Sequence, residues 1–185
     1  LATDGETLEA LDNKTYTLSP GMTVIADEEG PEAVGGIIGG IPSSCTGETV
    51  DVFLEAAYFD PVRTAATGRK LGINSDARYR FERGVDPAFT PVGAEIATRM
   101  ILDLCGGEAS RIVMAGAVPD TARRYALRKT RVKSLAGADV AGPRQKAILE
   151  ALGFGVTETA DTLDCAVPSW RPDVHGEADL VEEVA

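Results

Sequence analysis

Four carboxylates near one end of the chain have the spacing of a hard-cation site. Asp179, Glu182 and Glu183 stand at i, i+3 and i+4, so on a helix Asp179 shares a face with both glutamates, and Asp173 precedes them by a few residues. Magnesium takes oxygen ligands, and four converging carboxylates would supply them. A plainer reading is also open: the dipole of a helix favours acids at its start, and charged residues fill a wet face while Leu180 and Val184 point inward. A further carboxylate, Glu55, falls in the alternating run from Val50 to Phe59. Period two puts Glu55 on one face with Phe53 and Phe59, where loss of water raises its pKa or gives it a hydrogen-bonding task. The alternative is a strand-edge glutamate pointing to water. Ser75 and Ala77 flank Asp76 where a helical pattern begins, a position at which serine is ordinarily a cap.

Other chemistries are excluded by what is missing. His175 is the only histidine, and its place beside Gly176 reads as loop, so Ser-His or Cys-His catalysis and paired-histidine metal sites have no other source. Cys45, Cys105 and Cys165 are odd in number and far apart, which fits neither a disulfide framework nor a CxxC zinc knuckle and suits a reducing, cytoplasmic setting. The run Gly35-Gly36-Ile37-Ile38-Gly39-Gly40 lacks the helix that a phosphate loop must open, since Ile41-Pro42 follows. It reads instead as strand and turn with close backbone packing, or as glycine admitting a substrate to main-chain amides. The net charge of −11 excludes a generic cationic nucleic-acid coat, and no apolar run nears the roughly 18 residues of a membrane span. The stretch 123–133 nevertheless carries Arg123, Arg124, Arg128, Lys129, Arg131 and Lys133 without an acid, which suits either nucleic-acid phosphates or a solvated surface.

The elements that must position these groups follow from periodicity and punctuation. Residues 1–120 hold 9 basic and 19 acidic residues against 9 and 10 in 121–185, and Val118-Pro119-Asp120-Thr121 follows an apolar strand-like run, Arg111 to Ala117. Two domains, 1–120 and 121–185, are expected. In the first, strands are expected over Lys14 to Leu18, Thr23 to Asp27, Ala33 to Ile38 and Val50 to Phe59. Helices follow from Asp60-Pro61 to Leu71 with Gly72 as stop, from Asp76 to Arg83, and from Pro91 to Cys105. In the second, a helix opened by Pro143 precedes strands at Val156 to Glu158 and Leu163 to Val167, and a last helix starts near Glu177. The fold class is α+β. The absence of an initiating Met and the helix running to Ala185 suggest a piece excised from a longer chain.

Several ordered stretches together go beyond composition: Ile37-Ile38-Gly39-Gly40, Val52-Phe53-Leu54-Glu55-Ala56-Ala57, Phe81-Glu82-Arg83-Gly84-Val85-Asp86-Pro87, Pro168-Ser169-Trp170-Arg171-Pro172-Asp173 and Asp179-Leu180-Val181-Glu182-Glu183-Val184. Over nearly its whole length the chain resembles the β subunit family of bacterial phenylalanine-tRNA ligases, from inside the B3/B4 editing domain through most of the B5 domain. The resemblance implies a cytoplasmic (αβ)2 synthetase in which the α subunit carries the ATP-dependent charging site. It also implies that B3/B4 hydrolyses tRNA-Phe mischarged with tyrosine, and that B5 is a small helical domain like DNA-binding ones. Carried over by position, the editing pocket falls on Gly39, Glu55, Ser75 (threonine in many relatives) and Ala77, with Glu55 and Ser75 nearest the chemistry. The magnesium ligands fall on Asp173, Asp179, Glu182 and Glu183, in a site shared with the α subunit; ATP is not bound by this stretch. The family's editing site also draws on a histidine from a segment preceding Leu1, so the resemblance implies weak or no deacylation by this stretch alone. The competing reading is a noncatalytic scaffold that touches tRNA through 123–133.

Overall fold

Short turns dictate the first sheets. Asn13, at φ 60, and the Ala10 to Lys14 turn fold β1 (Thr7–Glu9) back on β2 (Thr15–Thr17), pairing Leu8 with Tyr16. Asp27 then accepts from the amides of Glu29 and Gly30, an Asx turn that reverses β3 (Val24–Ala26) into β4 (Pro31–Val34). The glycine turn at 35–36 returns the chain as β5 (Ile38–Gly39), completing an antiparallel order β3-β4-β5. A bridge between Ala10 and Gly40 joins the two small sheets. Leu8, Ala10, Leu18, Met22, Val34 and Ile37 form the core under them, closed by Ile73.

The structure is a computed structural model describing residues 1–185, and it comprises two compact units: Leu1–Val85 with Phe89–Val113, and Asp86–Ala88 with Met114–Ala185. Beyond the sheets, the first unit is helical. Helix α1 (Pro61–Leu71) starts where Asp60 accepts from the Arg63 amide at 2.7 Å with Pro61 in its first turn, and it stops at Gly72, φ 68. Helix α2 (Asp76–Phe81) is capped by Ser75, and α3 (Thr90–Cys105) ends at Gly106.

Two expected strands are absent. Residues 50–60 and 106–120 are irregular, with no ladder. Alternation marks out a face, but a strand also needs a neighbouring backbone to pair with, and no strand of the chain pairs with these runs. Val50 and Phe53 are accordingly 90% and 93% exposed.

The second unit carries a sheet as well as helices. The basic stretch supplies β6 (Arg124–Arg128) and α4 (Arg131–Ala136), neither of which the pattern announces. Helix α5 (Gly142–Ala151) leads to β7 (Gly155–Glu158) and β8 (Thr162–Ala166), and β8 lies centrally in the antiparallel order β6-β8-β7. Leu127, Leu149, Leu163, Cys165 and Val174 are fully buried beneath α6 (Glu177–Val184), which contributes Leu180, Val181 and Val184. Gln145, also buried, donates through Nε2 to the carbonyls of Lys129 and Val140, tying α5 to the loops around α4. No helix is long and apolar enough to cross a membrane.

Candidate functional site

In the first unit, one serine joins two of the sequence motifs. The Ser75 hydroxyl donates to the Ile37 carbonyl at 2.6 Å and accepts from the Arg78 amide at 3.1 Å. It therefore caps α2 and at the same time ties the start of that helix to the Ile37-Ile38-Gly39 run. Its proton is committed to Ile37, so the hydroxyl is suited to positioning rather than to nucleophilic attack. Ala77, half-buried, sits in the first turn of the same helix. Arg78 holds this corner: its guanidinium donates to the Ile73 carbonyl at 2.6 Å, to Asn74 Oδ1 at 3.0 Å and to Glu82 Oε2 at 2.9 Å, while crossing buried Gly68 of α1.

The glycines of the adjoining turn make room for aromatic rings. A Cβ on Gly35 would lie 2.8 Å from the Phe59 ring, and one on Gly36 would lie 3.0 Å from both Phe59 and Phe81. Those rings pack at 5.2 Å between centroids. Gly40 similarly admits the Glu32 carbonyl and Leu8, and a Cβ on Gly39 would meet Leu11 at 3.1 Å. Close backbone packing thus explains the run, as the plainer reading expects. Glu55 lies on the irregular segment that Phe59 anchors four residues later. Partial burial is the one influence on its carboxyl, pushing it above the ordinary glutamate value although the residue as a whole is exposed.

The four acids of the second unit do not converge on a common point. Arg171 stands between two of them: Nε and Nη2 donate to the two carboxylate oxygens of Asp173 at 2.9 and 2.6 Å, and Nη2 also donates to Glu183 Oε1 at 2.6 Å. Asp179 Oδ2 is taken by the His175 amide at 2.7 Å, and Glu182 is exposed. Nowhere in the chain do three Asp, Glu, His or Cys side chains gather so as to hold a metal ion. As folded, these residues do not fit magnesium, because a guanidinium fills the position where two carboxylates meet. Arg171 holds Asp173 below the usual aspartate range, and the two acids hold Arg171 above the usual arginine range.

All six basic side chains of 123–133 are engaged inside the second unit. Arg123 donates to the carbonyls of Arg171, Pro172 and Val174. Arg124 pairs with Asp164 at 2.6 Å, Lys133 with Asp139 at 2.7 Å, and Lys129 with Glu158 at 2.9 Å. Arg128 and Arg131 share Glu177, at 2.6 and 3.8 Å, and Arg128 holds the Glu177 carboxyl down at about 2. Cys165, buried in β8, has its thiol pushed up to about 11 by burial, which leaves no thiolate at neutral pH.

The roles of Arg78, Arg123 and Arg171 escape pattern reading, which takes Arg123 only as part of the basic run and Arg171 only as part of a motif. One signal was available for Arg171: it is the only basic residue after Lys146, among nine acids. For Arg78, the signal was Gly68 inside a helix, a mark of close approach by a neighbour. Glu32 is also missed; its Oε2 is buried without a partner in the chain, an atom of the kind that water or a bound group satisfies.

Two family models match the chain. Residues 1–106 match the B3/4 domain family and residues 125–185 match the tRNA synthetase B5 domain family. The phenylalanine-tRNA ligase β subunit of Paramagnetospirillum magneticum is 63% identical over 184 residues, covering 100% of this chain and 23% of the relative. That of Cereibacter sphaeroides is 62% identical, covering 100% and 22%, and that of Brucella abortus is 54% identical, covering 99% and 23%. The chain thus spans under a quarter of the length of the curated relatives it matches. On these matches, the chain belongs to the phenylalanine-tRNA ligase β subunit family and corresponds to its B3/4 and B5 portion.

Proposed function

We propose that the chain serves a phenylalanine-tRNA ligase as its editing portion, with residues 1–120 hydrolysing tRNA-Phe mischarged with tyrosine and residues 121–185 forming the B5 domain. The partners on this reading are the synthetase α subunit and tRNA, the setting is the cytoplasm, and ATP and magnesium belong to charging by the assembled enzyme. The observation that carries the reading is the 2.6 Å bond from Ser75 to the Ile37 carbonyl, which joins the helix bearing Ala77 to the strand bearing Gly39.

The chemistry explains why such a site is needed. An apolar pocket rejects a substrate that merely adds a hydroxyl only about a hundredfold, so higher fidelity requires a second, hydrolytic site. Glu55 accepts the phenol O–H of tyrosine, and its partial dehydration strengthens that bond. Phenylalanine would leave the carboxylate unpaired and so is spared. Ala77 leaves room for the ring, Gly39 lets the main chain approach, and Ser75 holds the two together. Water adds to the tyrosyl carbonyl carbon, the bond from that carbon to the ribose oxygen breaks, and tyrosine carboxylate, a proton and the free tRNA hydroxyl leave. No step is assigned to a metal ion. Main-chain groups, Ser75 and the tRNA itself position the water, since the lone histidine lies outside residues 1–120. The scaffold reading, with tRNA contact through 123–133, loses support because five of those side chains are already paired with acids of their own unit and Arg123 is bonded to its main-chain carbonyls.

The test is deacylation of tyrosyl-tRNA-Phe by the complete synthetase carrying Ala77→Trp or Glu55→Ala, with phenylalanine charging followed in parallel. Loss of deacylation by about a hundredfold with charging intact is expected. Unchanged deacylation in both variants would move the site elsewhere.

A further inference from the structure

The loop from Pro168 to His175 is held by two arginines that do different work. Arg123 reaches in from beside β6 and donates to three main-chain carbonyls of the loop, which fixes its path. Arg171, within the loop, fastens it to α6: the fork of its guanidinium is bidentate on Asp173, and the same Nη2 reaches Glu183. The Arg171 and Glu183 side chains are 21% and 18% exposed, and the guanidinium carbon lies 5.9 Å from the Phe154 ring centroid, so the contact is largely shielded from water. Val174, fully buried, turns its two neighbours outward and leaves Asp173 facing the guanidinium.

We propose that Arg171 and a divalent cation are mutually exclusive occupants of Asp173 and Glu183, and that the guanidinium is the resident in this chain. A planar fork satisfies two carboxylate oxygens at once and brings its own hydrogen bonds, whereas magnesium demands about six oxygens in tight octahedral geometry. With Asp179 Oδ2 taken by the His175 amide and Glu182 exposed, the two carboxylates that do meet, Asp173 and Glu183, already have their charge half cancelled by Arg171. A cation entering there must first expel the arginine. Arg171 therefore keeps the loop and α6 joined when no cation is bound, and any metal site built on these acids requires that join to open. The inference does not depend on the editing reading, and its test measures binding and side-chain contact rather than deacylation, so either can fail without the other.

The experiment is a titration of the chain with lanthanum chloride, a probe with strong affinity for carboxylates, while the Arg171 Nε–Hε resonance is followed by NMR. Before any addition the resonance should be resolved and protected from exchange. Its loss at the same midpoint as lanthanum binding supports exclusion, and its persistence with no binding at saturating lanthanum supports a resident guanidinium. Lanthanum bound with the resonance intact would overturn the proposal, as would an arginine signal that is already unprotected in the free chain. Arg171→Gln gives a second reading, with folding verified by Trp170 fluorescence. It should bind manganese about tenfold more tightly than wild type or better, because one positive charge is gone from the carboxylates; equal affinity would count against the proposal. If that variant fails to fold, the wild-type titration decides alone.

Discussion

Helix α6 sinks Leu180, Val181 and Val184 into the second unit, whereas α3 of the first unit, twice as long at 16 residues against 8, has no buried residue. The sequence of α3 is no less apolar: Ile96, Met100 and Leu104 recur at helical spacing, yet they are 49%, 56% and 80% exposed. The difference lies in what each helix has to pack against. Around α6, strand β6, α4 and α5 supply direct partners, and eleven buried residues form one core within residues 127–184. The core of the first unit draws on residues 2–37 and Ile73, and α3 adds nothing to it. Amphipathic spacing therefore states that a face is apolar, and burial follows only where other elements of the chain supply a partner.

The largest expected effect tests this contrast directly. Leu163→Ala, at the centre of the β8 core, should cost about 2–5 kcal/mol, because it leaves a cavity among fully buried neighbours. Ile96→Ala on α3 should change stability by about 0.5 kcal/mol or less. Urea unfolding followed by Trp170, the only tryptophan, reports the first variant, and amide exchange along α3 reports the second. A cost at Ile96 comparable to that at Leu163 would mean that α3 is buried in solution by something, and the contrast would fail.

What could be read from the sequence divides along the same line. Local punctuation was legible: Asp60-Pro61 and Gly72 bound α1, and Ser75 caps α2, because cap, proline and left-handed glycine all act within one turn. The alternation from Val50 to Phe59 was equally plain and produced no strand, since a ladder depends on a second segment that the run itself does not specify. The acids at 179, 182 and 183 do lie on one helix, but their directions are set by partners outside the pattern, with Asp179 turned to the His175 amide and Glu183 to Arg171. The basic run at 123–133 read as free charge because all its acids but Asp139 stand far along the chain, up to 49 residues away, at Glu158, Asp164 and Glu177. Spacing along one element survives folding, whereas pairing across elements has to be seen.

The first unit is not loose throughout, and a single methyl group should show where it is tight. A Cβ on Gly68 would collide with Cδ and Nε of Arg78, whose guanidinium is fixed by three acceptors and cannot swing aside freely. Helix propensity alone would make Gly68→Ala stabilising by about 1 kcal/mol. The collision should reverse that sign and destabilise α1 and α2 by about 1–2 kcal/mol. The readout is faster exchange at the Arg78 amide, which Ser75 caps. A stabilised variant would show that the Arg78 clamp yields, and the rigid corner at Ser75 would lose its basis.

The smallest effect compares one carboxylate from each unit and turns on sign. Glu177, bonded to Arg128, has its folded value lowered from 4.5 to about 2, so its stabilisation is complete above pH 4.5 and is lost as pH falls toward 2. Arg128 stands in solvent, which screens the pair, so the loss should be about 1 kcal/mol in the second unit. Glu55 runs the other way: its folded value is raised by partial burial, so it opposes folding once pH rises through that value and the carboxyl ionises. Glu177→Gln should therefore flatten the acid limb of the Trp170 unfolding curve between pH 5 and 2. Glu55→Gln should leave stability at pH 7 unchanged or raise it by about a few tenths of a kcal/mol, measured by exchange in the first unit. If Glu55→Gln instead destabilised the first unit by about 1 kcal/mol or more, the carboxylate would be serving the fold. Unchanged or raised stability would leave the Glu55 carboxylate free for the role proposed for it, and a loss would withdraw Glu55 from the set.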